Sequence, residues 1–250
     1  MMIHDAKHHA EGDRALLWLL QLASPALPVG GYAYSEGLEA LIAAGDLATA
    51  ADLATWLRRE LAGGAIALDL VLLVRQSRSI ALGDWRAVVA RDRWLAATRE
   101  TEELRTQSAQ MGRSLSQLLE QLFQPSPTQR SPQMQDASPS WPSLRRALGD
   151  RCTWTTAFAA AAAIGGVGIE AMGLAYGQGW AGNLVTAAVK AIPLGQTDGQ
   201  RILLTLADAI AAAVENAIGQ PEDMAPDCCT WGLSLASMAH EAQYARLFRS

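Results

Sequence analysis

The chain has 250 residues, half of them hydrophobic and only 18% charged, with a formal net charge of -5 and an isoelectric point near 5.4. That apolar content supplies a sizeable core and excludes global disorder. The acidic balance speaks against nucleic acid or an anionic membrane surface as the main partner.

Residues 1–13 are polar and carry His4, His8 and His9. They are expected to form a flexible tail ahead of one helical domain over 14–250. His4 and His8 stand at helical i, i+4 spacing and would suit a divalent metal only if the tail were helical. The expectation is a polar tail with no metal site. No signal peptide is visible, and the first apolar stretch, Ala15 to Ala23, is too short to span a bilayer.

The segment Leu22 to Glu39 reads LASPALPVGGYAYSEGLE. Its prolines and glycines fix a loop path between two helices. If extended, it places Tyr32 and Tyr34 on one side. Ser35 reads as a helix N-cap, with Glu36 and Glu39 where the helix dipole favours anions. Downstream, Leu53, Leu57 and Leu61 recur at four-residue steps with Trp56 beside them, and Gly63-Gly64 supplies a stop. From Thr98 to Leu122 one stripe runs through Leu104, Met111, Leu115, Leu118 and Leu122. Arg99 with Glu103, and Glu102 with Arg105, are spaced to pair on its exposed side.

Residues 124–143 hold five of the ten prolines and read as an extended insertion loop. In the second half, Ala157, Ala161 and Gly165 share one helix face and predict a close helix approach. The apolar run Ala157 to Ala175 is interrupted by Glu170 and rich in Ala and Gly, so it reads as a buried helix pair and not as a membrane span. A helix ends near Ile192 before Pro193, with Lys190 in its last turn, where a cation suits the dipole. Lys190 is one of only two lysines, the other being Lys7. Thr197 and Gln200 have capping-box spacing ahead of the stripe Leu203, Leu206, Ile210, Val214 and Ile218.

Residues 233–250 close the sequence with a narrow stripe through Leu235, Met238, Ala242 and Ala245, and with Tyr244, Arg246, Phe248 and Arg249, residue types that anchor interfaces. The segment is expected to dock, preferably on a partner. No stretch shows sustained strand alternation, so the fold class is all-α, a single helical bundle.

Chemistry-bearing motifs are missing. There is no GxxxxGK[ST], GxSxG, CxxC or HExxH pattern and no GxGxxG that follows a strand, and His240-Glu241 resembles a general-base pair only superficially. The three cysteines, of which Cys228 and Cys229 are adjacent, make no disulfide framework and fit a reducing cytoplasm. The expectation is a binding or scaffolding protein without catalytic residues or cofactor.

Four stretches in order resemble the UreF family of urease accessory proteins. They are Leu20-Gln21-Leu22 through Tyr34-Ser35-Glu36-Gly37-Leu38-Glu39; Arg99-Glu100-Thr101 with Met111-Gly112-Arg113-Ser114-Leu115; Ala188-Val189-Lys190 through Gln200-Arg201; and the ending Gln243-Tyr244 to Arg249-Ser250. The resemblance implies an all-helical, dimerising bundle that bridges UreD (UreH) and the GTPase UreG on apo-urease for GTP-dependent nickel insertion. By carry-over, Lys190 and the loop with Gln196, Asp198, Gln200 and Arg201 face the GTPase. Tyr244, Arg246, Phe248 and Arg249 belong to the UreD side, Tyr34, Ser35, Glu36 and Glu39 serve either partner, and His240, alone on the terminal helix, reads as an interaction residue with no partner assigned. Ala239, Ala242 and Ala245 replace polar residues usual in the family's last helix, and Tyr32-Ala33-Tyr34 replaces Phe-Ser-Tyr. Two other classes are a nickel-binding carrier using His4, His8, His9, Cys228 or Cys229, and an all-α enzyme using Glu36, His240 and Glu241.

Overall fold

The computed structural model describes residues 2–123, 141–149, 151–226 and 231–250. Among them are eleven α-helices, one 3-10 turn and no strand. The helices are α1 (Met2–Leu22), α2 (Leu38–Ala44), α3 (Ala50–Gly63), α4 (Ala65–Ala81), α5 (Trp85–Thr98), α6 (Glu102–Phe123), α7 (Trp141–Leu148), α8 (Trp154–Ile164), α9 (Ile169–Ala191), α10 (Gln196–Gly219) and α11 (Trp231–Glu241). The all-α expectation holds.

Helix α4 runs through the middle, packed by α3, α5, α8, α9 and α10. Its apolar residues from Ile66 to Val74 are almost entirely buried, which explains why its sequence is apolar on every side. Helix α8 lies beside it, with Ala157 through Ala162 shielded from solvent between α4 and α6. At the end of the small-residue face, Trp18 of α1 packs on Gly165 and donates its indole N–H to the Ala161 carbonyl at 2.7 Å. The predicted close approach is therefore made within the chain. A second one joins α9 to α10: a Cβ on Gly173 would stand 2.8 Å from Val214, and one on Gly177 would stand 2.9 Å from Ile210.

Helix α10 has the length and composition to cross a membrane. Its stripe of Ile202, Leu206, Ile210, Val214 and Ala217 is instead buried against α9, α3 and α4.

Local starts and stops explain several boundaries. Helix α3 opens on a capping box between Thr49 and Asp52 and ends at the two glycines, as its sequence predicts. Helix α9 stops before Pro193, with the Ile192 amide still bonded to the Ala188 carbonyl. The capping box expected at Thr197 and Gln200 does not form. Helix α10 starts earlier, with Gly195 as its N-cap, and Asp198 instead takes the Arg201 guanidinium at 2.7 Å.

The Thr98 to Leu122 stripe is also interrupted. Arg99 adopts extended backbone after α5, and α6 begins only at Glu102. The stripe's end shifts with it, since Leu119 is buried while Leu122 is half exposed. Helix α1 continues through the segment expected as a polar tail. Of the expected insertion loop, 124–140 lies outside the described residues, as do Cys228 and Cys229, while Trp141 to Ser143 form the first turn of α7.

Candidate functional site

The loop between α1 and α2 fixes one side of the site. A 3-10 turn over Gly31–Ala33 replaces the extended path, so the two tyrosines diverge. Tyr32 is 69% exposed, while Tyr34 is buried and its hydroxyl donates to Gln110 Oε1 at 2.5 Å. Glu36 sits at φ 52°, the one non-glycine residue with positive φ among those described, a conformation costly for a side chain with a Cβ. Gly37 follows at φ 76°, where a Cβ would lie 2.8 Å from the Ser237 amide nitrogen of α11. Helix α2 begins after it, so Gly37, not Ser35, is the N-cap.

Glu36 is thereby turned inward. Its carboxylate accepts from Gln107 Nε2 at 2.9 Å and from Trp180 Nε1 at 3.0 Å. Burial, partly offset by the Trp180 hydrogen bond, holds this carboxyl above the usual carboxylate range. It lines a cavity of about 400 Å³ with Asp69, Arg99, Tyr176, Trp154 and Phe158. Arg99 grips Asp69 at 2.5 and 2.7 Å, and the Tyr176 hydroxyl donates to the same carboxylate at 3.1 Å. Burial disfavours the Arg99 charge, but the carboxylate beside it more than compensates and keeps the guanidinium protonated. Burial, reinforced by Asp69, pushes the Tyr176 phenol well above its ordinary range. Nearby Glu60, buried and, among the described residues, bonded only to the Ala65 amide at 3.2 Å, is pushed up to about 7, mainly by burial.

The other side of the site is the closing segment. It has no regular structure after Glu241 but is stitched to the loop. Ser250 O accepts from the Ser35 amide at 2.6 Å and from the Ser35 hydroxyl at 2.5 Å, and the Arg249 amide donates to the Ala33 carbonyl at 2.8 Å. Glu39 accepts from the Leu247 and Phe248 amides at 2.8 and 3.0 Å. Glu103 takes Arg246 at 2.6 Å. Gln107 joins the two sides, donating to Glu36 through Nε2 and accepting from the Ser250 hydroxyl through Oε1 at 2.7 Å.

The predicted site residues therefore divide. Tyr34, Ser35, Glu39, His240 and Phe248 are buried and act inside the chain, and Glu36 faces the cavity. Lys190, Gln196, Gln200, Arg201, Tyr244, Arg246 and Arg249 are exposed, with Asp198 half-buried. The Lys190 ammonium lies 5.9 Å from the Phe248 ring centre, so two stretches assigned to separate faces meet at one edge. Around the segment, Trp231, Leu235 and Met238 of α11 are exposed, as are Tyr244 and Leu247. The expected surface pair of Arg99 with Glu103 is replaced by two interior contacts, Arg99 to Asp69 and Glu103 to His240.

Asp69, Glu60, Gln107, Tyr176 and Trp180 escape a reading by motif. A single aspartate inside the apolar run Ala65 to Val74 is the one signal in the sequence that points to the cluster.

Among the described residues, no group of three His, Cys, Asp or Glu side chains stands ready to hold a metal ion. The Cys152 thiol is buried and pushed up by that burial, which disfavours the reactive thiolate. Glu36, His240 and Glu241 share no pocket: the cavity takes Glu36, His240 is enclosed, and Glu241 is exposed.

A family model described as UreF matches residues 47–207. The chain belongs to the UreF family. Similar proteins named urease accessory protein UreF include one from Trichormus variabilis, 46% identical over 238 residues covering 95% of this chain and 97% of its own. One from Thermosynechococcus vestitus is 44% identical over 240 residues, covering 95% and 99%. One from Ralstonia pickettii is 43% identical over 234 residues, covering 93% and 96%. Membership in the UreF family makes the chain a urease accessory protein, with a role in urease maturation. The matched stretch runs from just before α3 into α10 and includes Lys190 and the segment Gln196 to Arg201, expected as a loop but helical at the start of α10.

Proposed function

We propose that the chain serves urease maturation as a cytoplasmic, dimeric scaffold without bond chemistry of its own. It holds UreD (UreH) and the GTPase UreG together so that GTP-dependent nickel release is coupled to insertion into apo-urease. The observation that carries this reading is the presentation of Tyr244, Arg246, Leu247 and Arg249 on an irregular segment whose backbone is fastened to the body. Large apolar and arginine side chains held outward in this way suit an interface core better than a free surface. In this reading the segment and the exposed stripe of α11 receive UreD. Lys190 and the start of α10, with Gln196, Asp198, Gln200 and Arg201, receive UreG.

Co-expression of the tagged chain with UreD and UreG, followed by mass determination of the purified complex, tests the assignment. Removing 233–250 whole would also strip partners from Glu39, Ser35 and Gln107, so point variants are the sharper tool. Tyr244→Ala with Leu247→Ala should weaken UreD capture while the chain stays folded, and Lys190→Ala should weaken recruitment of UreG. A full-strength complex from both variants would overturn both assigned faces.

A further inference from the structure

We propose that His240 is a positioning residue, which with Glu39 and Glu103 forms a buried clamp that presents Tyr244 and Leu247 to the docking partner without touching it. The inference rests on the reading of the closing segment as a docking element.

His240 stands in the last turn of α11 and is fully enclosed. Its Nδ1 lies 2.7 Å from Glu103 of α6, and its Nε2 lies 3.3 Å from Glu39 of α2. One ring thus spans two carboxylates on separate helices. Because the nitrogens at its two ends each face a different carboxylate, the group is not arranged around a single metal ion.

Each carboxylate continues to the closing segment. Glu39 takes two successive amides, Leu247 and Phe248, and Glu103 takes the Arg246 guanidinium. The Glu103 amide is itself fixed by Glu241 at 3.2 Å. At Leu247, backbone and side chain are used oppositely. The amide is held by the clamp, while the residue as a whole is 72% exposed, and Tyr244 is exposed completely. A segment without helix or strand holds such a shape only through contacts of this kind. Fixing it beforehand removes an ordering cost from binding.

The test uses the full chain and the UreD partner of the proposed complex. Affinity is read by calorimetry, and amide hydrogen exchange is read at Leu247, Phe248 and Arg249. His240→Leu should speed exchange at these amides about tenfold or more and weaken UreD binding by a similar factor. Tyr244→Ala should weaken binding and leave the exchange as it was. Should the leucine variant not fold, His240→Gln serves, since its shorter reach satisfies only one carboxylate and should give intermediate effects on both readouts. Weak binding by Tyr244→Ala with full-strength binding by the His240 variants would overturn the clamp and leave the docking surface standing. Full-strength binding by all variants would overturn the docking reading, and the clamp with it.

Discussion

Two buried acidic groups have opposite relations to stability. Asp69 is matched, with Arg99 and Tyr176 both donating to it. Removing one member of a buried ion pair strands the other charge, at a typical cost of about 3–5 kcal/mol. Arg99→Met is therefore expected to lose that order of stability in urea unfolding, and adding Asp69→Leu should recover much of it. A double variant as unstable as the sum of the singles would show that the two residues are not coupled.

Glu60 is poorly matched. Its carboxyl rises to about 7 from an ordinary 4.5, so the folded state binds the proton more tightly than the unfolded one. Its contribution to stability is full below about pH 4.5, declines as pH rises towards 7, and is absent above. The span corresponds to something on the order of 3 kcal/mol. Glu60→Gln should flatten this slope and be more stable than the parent at pH 8. An unchanged pH profile would contradict the assignment.

At the scale of elements, close approach organises the second half. Gly173 and Gly177 let α9 lie against Val214 and Ile210 of α10, and large side chains there would have to push the helices apart. Gly177→Leu is expected to lower stability by about 1–3 kcal/mol, as overpacked cores do, with a fall in the thermal midpoint as the readout. An unchanged midpoint would mean that the pair yields without cost. The capping box at Thr49 and Asp52 is a smaller device. Thr49→Ala should cost about 1 kcal/mol.

The break between α5 and α6 shows what periodicity overlooks. The stripe through Leu104 and Leu115 is real, but Arg99 leaves the helix because its guanidinium finds Asp69 in the interior. That contact is invisible to any count of i, i+4 spacings.

For the whole molecule, loop and closing segment form one unit through Ser35, Glu39, Gln107 and His240, and the cavity meets that unit at Gln107. The docking variants Tyr244→Ala with Leu247→Ala should leave the thermal midpoint within about 1 °C, since both side chains are exposed and surface changes cost little. A large fall would mean that they support the fold. The sequence by itself determined the helical class, most of the apolar stripes, the stop at Pro193, and the family, because period, breakers and ordered motifs are local properties of a chain. Which conspicuous residues face outward was decided only by tertiary structure. Tyr34, Glu39, His240 and Phe248 resemble their exposed neighbours in the sequence, and they are buried because residues far along the chain, 76 positions away for Tyr34 and more than a hundred for the others, supply their partners. The Asp69, Arg99 and Glu36 cluster depends in the same way on α4, α6 and α9 meeting, since a charge stays inside a core only where folding brings it a counter-charge or a hydrogen bond.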